Sequence, residues 1–396
     1  MSRRPILRGL GALLATAIVA VWLHLAIALE AHLNRIEPAP LPSVSEHAAA
    51  LHAGSPVVDL HADSLLFGRD LLRRGRLGHV DLPRLEAGGV GLQVFGLPTR
   101  VYFGTNIDRT AAHGFDALIA AGIARLSPTA WQSPMQRALY HAERLADFAR
   151  RSEGRLTLIR DRAELAALLA ARARGERRIG AVLALEGAHG LESDPANLRR
   201  LFDAGYRMIG LSHFFDNDYA GSSAGVEKSG LTALGRETLA EMEALGVAVD
   251  LAHLSARSID DVLARATKPV VVSHTGVRGT CDNARNLSDD QIRRIAAQGG
   301  VIGLGFWDVA ACGLAPRDVA RAVAYVVRLV GPRHAALGSD YDGATTVGFD
   351  ASRLPALTQA LVDVGLPDET IRLVLGANAL RVLAATLPGG TRPARR

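Results

Sequence analysis

From about Val57 onward the chain is organised as short, continuous apolar runs, all but two of which stop on a His, Asp or Glu. Eight stand out: Val57–His61, Val90–Leu97, Ala181–Glu186, Met208–His213, Val247–His253, Pro269–His274, Gly300–Phe306 and Ala335–Asp340. Runs of this kind, without alternation, are expected of strands covered on both faces, as in a parallel sheet. Between most of them lie amphipathic patterns at helical spacing: Pro195–Ala204, Thr232–Leu245, Ser258–Ala266, Ser288–Ala297 and Pro316–Val330. Strands alternating with helices imply right-handed parallel crossovers. Eight such units over about 290 residues fit a closed (β/α)8 barrel of the TIM type, an α/β fold that usually takes about 250 residues plus insertions.

The connection after the second strand, residues 98–180, is too long for a plain loop. It is expected to carry helices over Asp108–Arg125, Pro134–Arg151 and Arg162–Arg174, packed outside or over the barrel mouth. Ahead of the barrel the pattern changes. A basic start, Ser2-Arg3-Arg4-Pro5-Ile6-Leu7-Arg8, precedes an apolar run from about Gly9 to Leu29. Roughly 20 apolar residues can cross a bilayer as a helix, and positive charge on the leading side places the amino end in the cytoplasm. The reading is therefore residues 1–30 as a signal-anchor or signal peptide, 31–42 as a proline-rich linker, and 43–396 as the barrel domain. The run is long for a cleaved signal, whose apolar part is typically about 7–15 residues, so an uncleaved anchor is favoured. Cleavage at Ala26-Ile27-Ala28, with secretion, is the alternative. Arg3-Arg4 also fits a twin-arginine export signal. The expected location is the inner membrane of a bacterial-type cell with the barrel outside the cytoplasm. The tail Pro388–Arg396 has no apolar stretch, so an anchor is expected at the amino end.

Composition narrows the function classes. A hydrophobic fraction of 48% suits a chain with a filled core and excludes a disordered one. The net charge of +5 comes from scattered arginines mixed with acids, with no basic stripe interleaved with aromatics. This is a solvated surface rather than a nucleic-acid interface. The two cysteines, Cys281 and Cys312, are too few for a disulfide scaffold or a thiolate zinc site; unpaired thiols are the favoured expectation, with pairing the alternative if the barrel lies outside the cytoplasm.

The chemistry lies where the runs stop. In a (β/α)8 barrel the active site sits at the carboxyl ends of the strands. His61 and Asp63 lie two apart at the end of the first run, so both can face one ion. Glu186 ends an apolar run, a costly place for a carboxylate unless it is paired or metal-bound. His253 and His274 end two more. Each residue alone has an ordinary structural explanation; five metal-ligand types at one end of one barrel do not. Three histidines, an aspartate and a shareable glutamate suit a two-metal hydrolase, in which a bridging hydroxide attacks a polarised carbonyl. Nitrogen and oxygen ligands without thiolate suit Zn, Mn or Co, with Zn the default.

His61-Ala62-Asp63, Leu185-Glu186-Gly187, Asp250-Leu251-Ala252-His253, Ser273-His274, Gly338-Ser339-Asp340-Tyr341-Asp342-Gly343 and Leu375-Gly376-Ala377-Asn378 resemble, in order and spacing, the membrane (renal-type) dipeptidase family. The resemblance implies a binuclear zinc dipeptidase acting on dipeptides, and it also implies a homodimer. It implies that His61 and Asp63 hold one ion, His253 and His274 the other, and Glu186 bridges them. It further implies that His213 faces the substrate and helps hold the oxyanion. Arg285 would bind the substrate carboxylate, and Asp340 would handle the proton for the leaving amine, with Asp342 as the alternative. The stretch Phe214–Ala220 and the 98–180 insertion are only loosely similar to the mammalian members, and both should shape the pocket. Two rivals remain at this stage. One is another barrel amidohydrolase, such as a deaminase or cyclic-amide hydrolase, although Lys228 and Lys268, the only lysines, are poorly placed to bridge metals. The other is a non-catalytic, metal-stabilised barrel.

Overall fold

The computed structural model describes residues 4–119 and 128–390. Nine parallel strands are present: β1 (Val57–Ala62), β2 (Val90–Phe95), β3 (Leu156–Leu158), β4 (Ile179–Leu185), β5 (Tyr206–Gly210), β6 (Ala248–Asp250), β7 (Val271–Thr275), β8 (Val301–Leu304) and β9 (Ala335–Leu337). Their order is β2-β1-β9-β8-β7-β6-β5-β4-β3, and a further pairing of β2 with β4 closes the ring. The closure runs from Leu92↔Gly180 to Phe95↔Leu183. Eight strands thus form the barrel, and β3, which the sequence pattern does not reveal, pairs only with the outside edge of β4.

Every barrel strand contributes to one apolar cluster: Val58, Leu60, Leu92, Val94, Val182, Ala184, Met208, Ala248, Val271, Val301 and Ala336. A cluster fed by every strand fills the barrel interior, which is a packed core and not a pore. Ala379, Val382 and Leu383 of the helix Asn378–Thr386 belong to it as well. That places the helix as a plug at the amino ends, where Gly376 packs so closely on Pro56 that a Cβ would overlap its carbonyl oxygen. With one end plugged, the chemistry is confined to the other.

The helices between strands follow the sequence pattern to within a few residues, and their starts have visible causes. Ser133, Thr232 and Ser255 each accept a backbone N–H of the first turn, and Ser288 and Gln291 form a reciprocal capping box. One expectation fails. Residues 108–116 of the expected Asp108–Arg125 helix are loop and turn, joined to Tyr102 by a bridge at Asp116, and residues 120–127 lie outside the described set. Asn106 Oδ1 accepts the N–H groups of both Asp108 and Arg109, an arrangement that competes with helix formation.

At the amino end a helix spans Arg4–Leu33. Much of the apolar run at Gly9–Leu29 falls on side chains outside the described set. Among the described residues, no helix is long and apolar enough to cross a membrane. The proline-rich segment expected to be a spacer lies against the body: Ile36 bridges Val347, and the Glu37 and Ala39 amides donate to Val347 and Gly348.

Cys281 and Cys312 are joined in a disulfide, which corrects the expectation of unpaired thiols. Sequence spacing carries no information about this pairing, because the two residues meet only when the loops after β7 and β8 stand side by side. The bond closes a separation of 31 residues. Cys281→Ser is expected to cost between about 3 and 4 kcal/mol of stability through loop-closure entropy. The check is the denaturant midpoint of both proteins under non-reducing conditions; an unchanged midpoint would mean the bond is not formed in solution.

Candidate active site

His61 and His274 lie within β1 and β7, but two other candidate residues fall beyond their strands. β6 stops at Asp250 and β9 at Leu337, so His253 and Asp340 sit on the turns that follow, with φ of 64° and 58°. Asp342 is also left-handed, at 62°. Non-glycine residues in this region are strained by about 1–3 kcal/mol, and such strain gathers where side chains must be aimed. Here the turns bring His253 and Asp340 back over the barrel mouth.

All five expected ligands converge there. Glu186 is the centre: its Oε1 lies 3.0 Å from His253 Nε2, 3.3 Å from His274 Nε2 and 3.7 Å from His61 Nε2. His253 Nε2 and His274 Nε2 are 2.9 Å apart. On the other side, His61 Nε2 is 3.3 Å from Asp63 Oδ1 and 3.9 Å from Asp340 Oδ1. His213 Nε2 approaches Glu186 Oε2 at 3.5 Å. Around an ion with bonds of about 2.0–2.2 Å, neighbouring ligand atoms of a tetrahedron are about 3.3–3.6 Å apart. The observed separations, from 2.9 to 3.9 Å, straddle that spacing.

Three groupings could each hold a cation: His61 with Glu186 and His274; Glu186 with His213 and His253; and His61 with Asp63 and Asp340. Buried His61 Nε2, Asp63 Oδ1 and Glu186 Oε2 have no hydrogen-bond partner. Electrostatics points the same way. Burial, with Asp63 and Asp340 nearby, pushes Glu186 well above the usual carboxylate range, against the opposing pull of His61. Burial and Asp342 do the same to Asp63. Burial pushes Asp340 up to about 8, with Asp63 and Asp59 adding to it and His61 and Arg285 opposing it. His253 and His274 are driven well below their ordinary value by burial, and so present neutral imidazoles. Crowded carboxylates that resist ionising, beside neutral imidazoles with unpaired nitrogens, are the environment a divalent cation relieves. The donor set therefore fits metal.

Other polar residues fix the ligands in place. Asp250 accepts from the Ser273 amide at 2.8 Å and the Ser273 hydroxyl at 2.5 Å, and Ser273 Oγ lies 2.9 Å from His274 Nδ1. Asp59 accepts from the Ser339 amide and hydroxyl at 2.8 and 2.7 Å, tying β1 to the turn that carries Asp340. Such supports set ring orientation and ligand basicity. Gly96, just past β2, leaves the room that His61 and Asp63 need, since a Cβ there would overlap both. These supports were not singled out from sequence. The signal available was a carboxylate inside an apolar run, at Asp59 and again at Asp250.

The two aspartates of Asp340-Tyr341-Asp342 have different surroundings. Asp342 is sealed: its carboxylate accepts from Ser64 Oγ and Arg69 Nη2 at 2.6 Å each and from the His79 amide at 2.7 Å. Burial pushes Asp342 up, but Arg69, His79 and Ser64 together hold it below the usual range. Asp340 instead lines the cavity above Glu186, with His213, His253 and Arg285. Arg285 is buried, donates to the His274 carbonyl at 2.9 Å, and lies 5.9 Å from the Trp307 ring centre. Among the described residues it has no carboxylate within ion-pair distance. The disulfide fastens the loop of Arg285 to that of Trp307.

Comparison with known proteins accords with this geometry. Residues 45–388 match the family described as membrane dipeptidase (peptidase family M19). The dipeptidase verJ of Clonostachys rogersoniana is 32% identical over 355 residues, covering 85% of each chain. Among solved structures, the probable dipeptidase PvdM from Pseudomonas aeruginosa superposes with a TM-score of 0.71 at 19% identity, covering 86% of this chain and 98% of that one. A Rhodobacter sphaeroides metallopeptidase, solved with a phosphinate mimic of the dipeptide L-Ala-D-Ala, gives a TM-score of 0.67 at 24% identity, covering 84% and 99%. At these identities the structural matches establish the shared fold. The chain belongs to the membrane dipeptidase family, peptidase family M19.

Proposed function

We propose that the chain is a metal-dependent dipeptidase that cleaves the peptide bond of dipeptides. In this reading His61 and Asp63 serve one divalent ion, His253 and His274 a second, and Glu186 both. The observation that carries it is the meeting of these side chains on Glu186, within 3.0–3.7 Å of its Oε1 for the three histidines. Bound there, a pair of divalent ions, zinc by donor preference, would supply an activated water and polarise the scissile carbonyl.

The chain's own residues supply binding and proton handling. Arg285 takes the substrate carboxylate, because a buried guanidinium lacking an anionic partner recovers one when the ligand arrives. His213, kept neutral by burial, donates to the oxygen that gains charge. Asp340, on the cavity wall beside His61, is placed to pass a proton to the leaving amine. A lysine-bridged amidohydrolase has no support here. Lys268 donates to the Glu243 carbonyl at the amino end of β7, and Lys228 to the Asp108 carbonyl.

We infer also that the barrel works outside the cytoplasm, with the amino-terminal helix as its anchor or export signal. The disulfide supports this, since such bonds persist in oxidising compartments. A reporter active only after export, fused at the carboxyl end, should be active in a bacterial host and lose activity when residues 1–30 are removed. Reporter activity independent of those residues would contradict the export reading.

Metal loading and three substitutions test the chemistry. The metal-loaded protein should carry two ions per chain and hydrolyse members of a dipeptide panel, and Glu186→Gln should lose both ions and at least about 100-fold in kcat/KM. Full activity in that variant would rule out the shared-ligand role. Asp340→Asn should keep its metal and lose about 100- to 10,000-fold in kcat. Asp342→Asn should chiefly lower stability, by about 3–5 kcal/mol, because it breaks a buried ion pair with Arg69. Equal kinetic losses without a stability difference would remove the distinction drawn between the two aspartates.

A further inference from the structure

The cavity above Glu186 is large and two-sided. Its volume is about 720 Å³, in the range that encloses a drug-sized ligand. One side carries the polar groups already described. The rest of its lining is largely apolar, and part of it comes from the amino-terminal helix: Leu25, Leu29 and Leu33, four residues apart, line the cavity together with Val101 and Phe103 of the insertion. Leu25 and Leu29 are 53% and 42% exposed and Phe103 is 65% exposed, so no other described residue fully covers them.

The neighbouring stripe of the same helix holds it in place. Glu30 is 1% exposed, with Oε1 2.6 Å from Arg69 Nε, and Arg69 Nη2 is 2.6 Å from Asp342 Oδ2. Asn34 Oδ1 accepts the Ala344 amide at 3.0 Å, and residues 35–39 pair with Val347 and Gly348. A segment that serves only as a leader or tether has no reason to bury a carboxylate against a guanidinium that also holds the loop after β9. The helix is positioned against the loop that carries Asp340.

We propose that the last turns of the amino-terminal helix form a specificity wall, and that the pocket selects dipeptides bearing a large apolar group, seated against Leu25, Leu29 and Phe103, over dipeptides of small residues. This rests on the dipeptidase reading. A dipeptide of small residues reaching from Glu186 to Arg285 leaves the apolar side bare. An added apolar group covers it, and burial of a leucine-sized group is worth about 10- to 150-fold in binding.

The test uses the full-length, metal-loaded chain. Values of kcat/KM are measured for alanyl-alanine, for dipeptides with leucine or phenylalanine at either position, and for one carrying an octanoylated lysine. The expected result is at least a tenfold preference for one or more of the apolar substrates over alanyl-alanine. Leu29→Asp should reduce that ratio at least tenfold, and Leu29→Ala, a milder change at a half-exposed position, should reduce it about threefold. Hydrolysis of alanyl-alanine with no apolar preference overturns the wall and leaves the dipeptidase reading standing. A preference that survives in both variants also overturns it. Failure to hydrolyse any dipeptide overturns the dipeptidase reading, and the wall falls with it.

Discussion

A carboxylate buried among neutral imidazoles and other carboxylates is the constraint on which the rest of this structure depends. Glu186 directly follows β4, in a position where ionisation is opposed by burial and by Asp63 and Asp340, and where three histidine nitrogens lie within 3.0–3.7 Å of its Oε1. Without a cation this cluster holds unsatisfied acceptors and suppressed charges together at a cost. A divalent cation held there would turn the same atoms into ligands and relieve that cost. The strained turns at His253 and Asp340, the space left by Gly96, and the bonds from Asp250 and Asp59 all serve to hold that cluster at the barrel mouth.

The barrel makes this feasible by separating stability from chemistry. Its interior is apolar from β1 to β9 and is closed at the amino ends by the helix Asn378–Thr386. Polar residues are thus gathered at the carboxyl ends, on turns that neighbouring strands support. Around that rim, further ties join loops that lie far apart in sequence. Asp342 gathers Ser64, Arg69 and His79; Glu30 extends the same network to the amino-terminal helix; and the disulfide joins the loops of Arg285 and Trp307. The pocket is therefore made of segments from both ends of the chain and the middle.

Much of this was legible in the sequence, for a physical reason. Strands buried on both faces must be continuously apolar, so a His, Asp or Glu at the end of such a run stands out, and His61, Glu186, His253 and His274 were all visible in that way. What was hidden depends on contacts between distant segments or on local competition. The edge strand Leu156–Leu158 is too short to leave a pattern. The Asn106 side chain displaces a helix that periodicity favoured over residues 108–116. The Cys281–Cys312 bond and the docking of Glu30 on Arg69 exist only once the rim is assembled. Asp250 and Ser273 were plain in the sequence, but their support of His274 was not, because it crosses from β6 to β7.

The most direct test of the central claim is a crystal structure of the metal-loaded protein with anomalous scattering at the metal edge. The expected result is two peaks about 3.5–4 Å apart, as in two-metal hydrolase sites, with Glu186 contacting both. A single peak, or peaks that do not share Glu186, would contradict it.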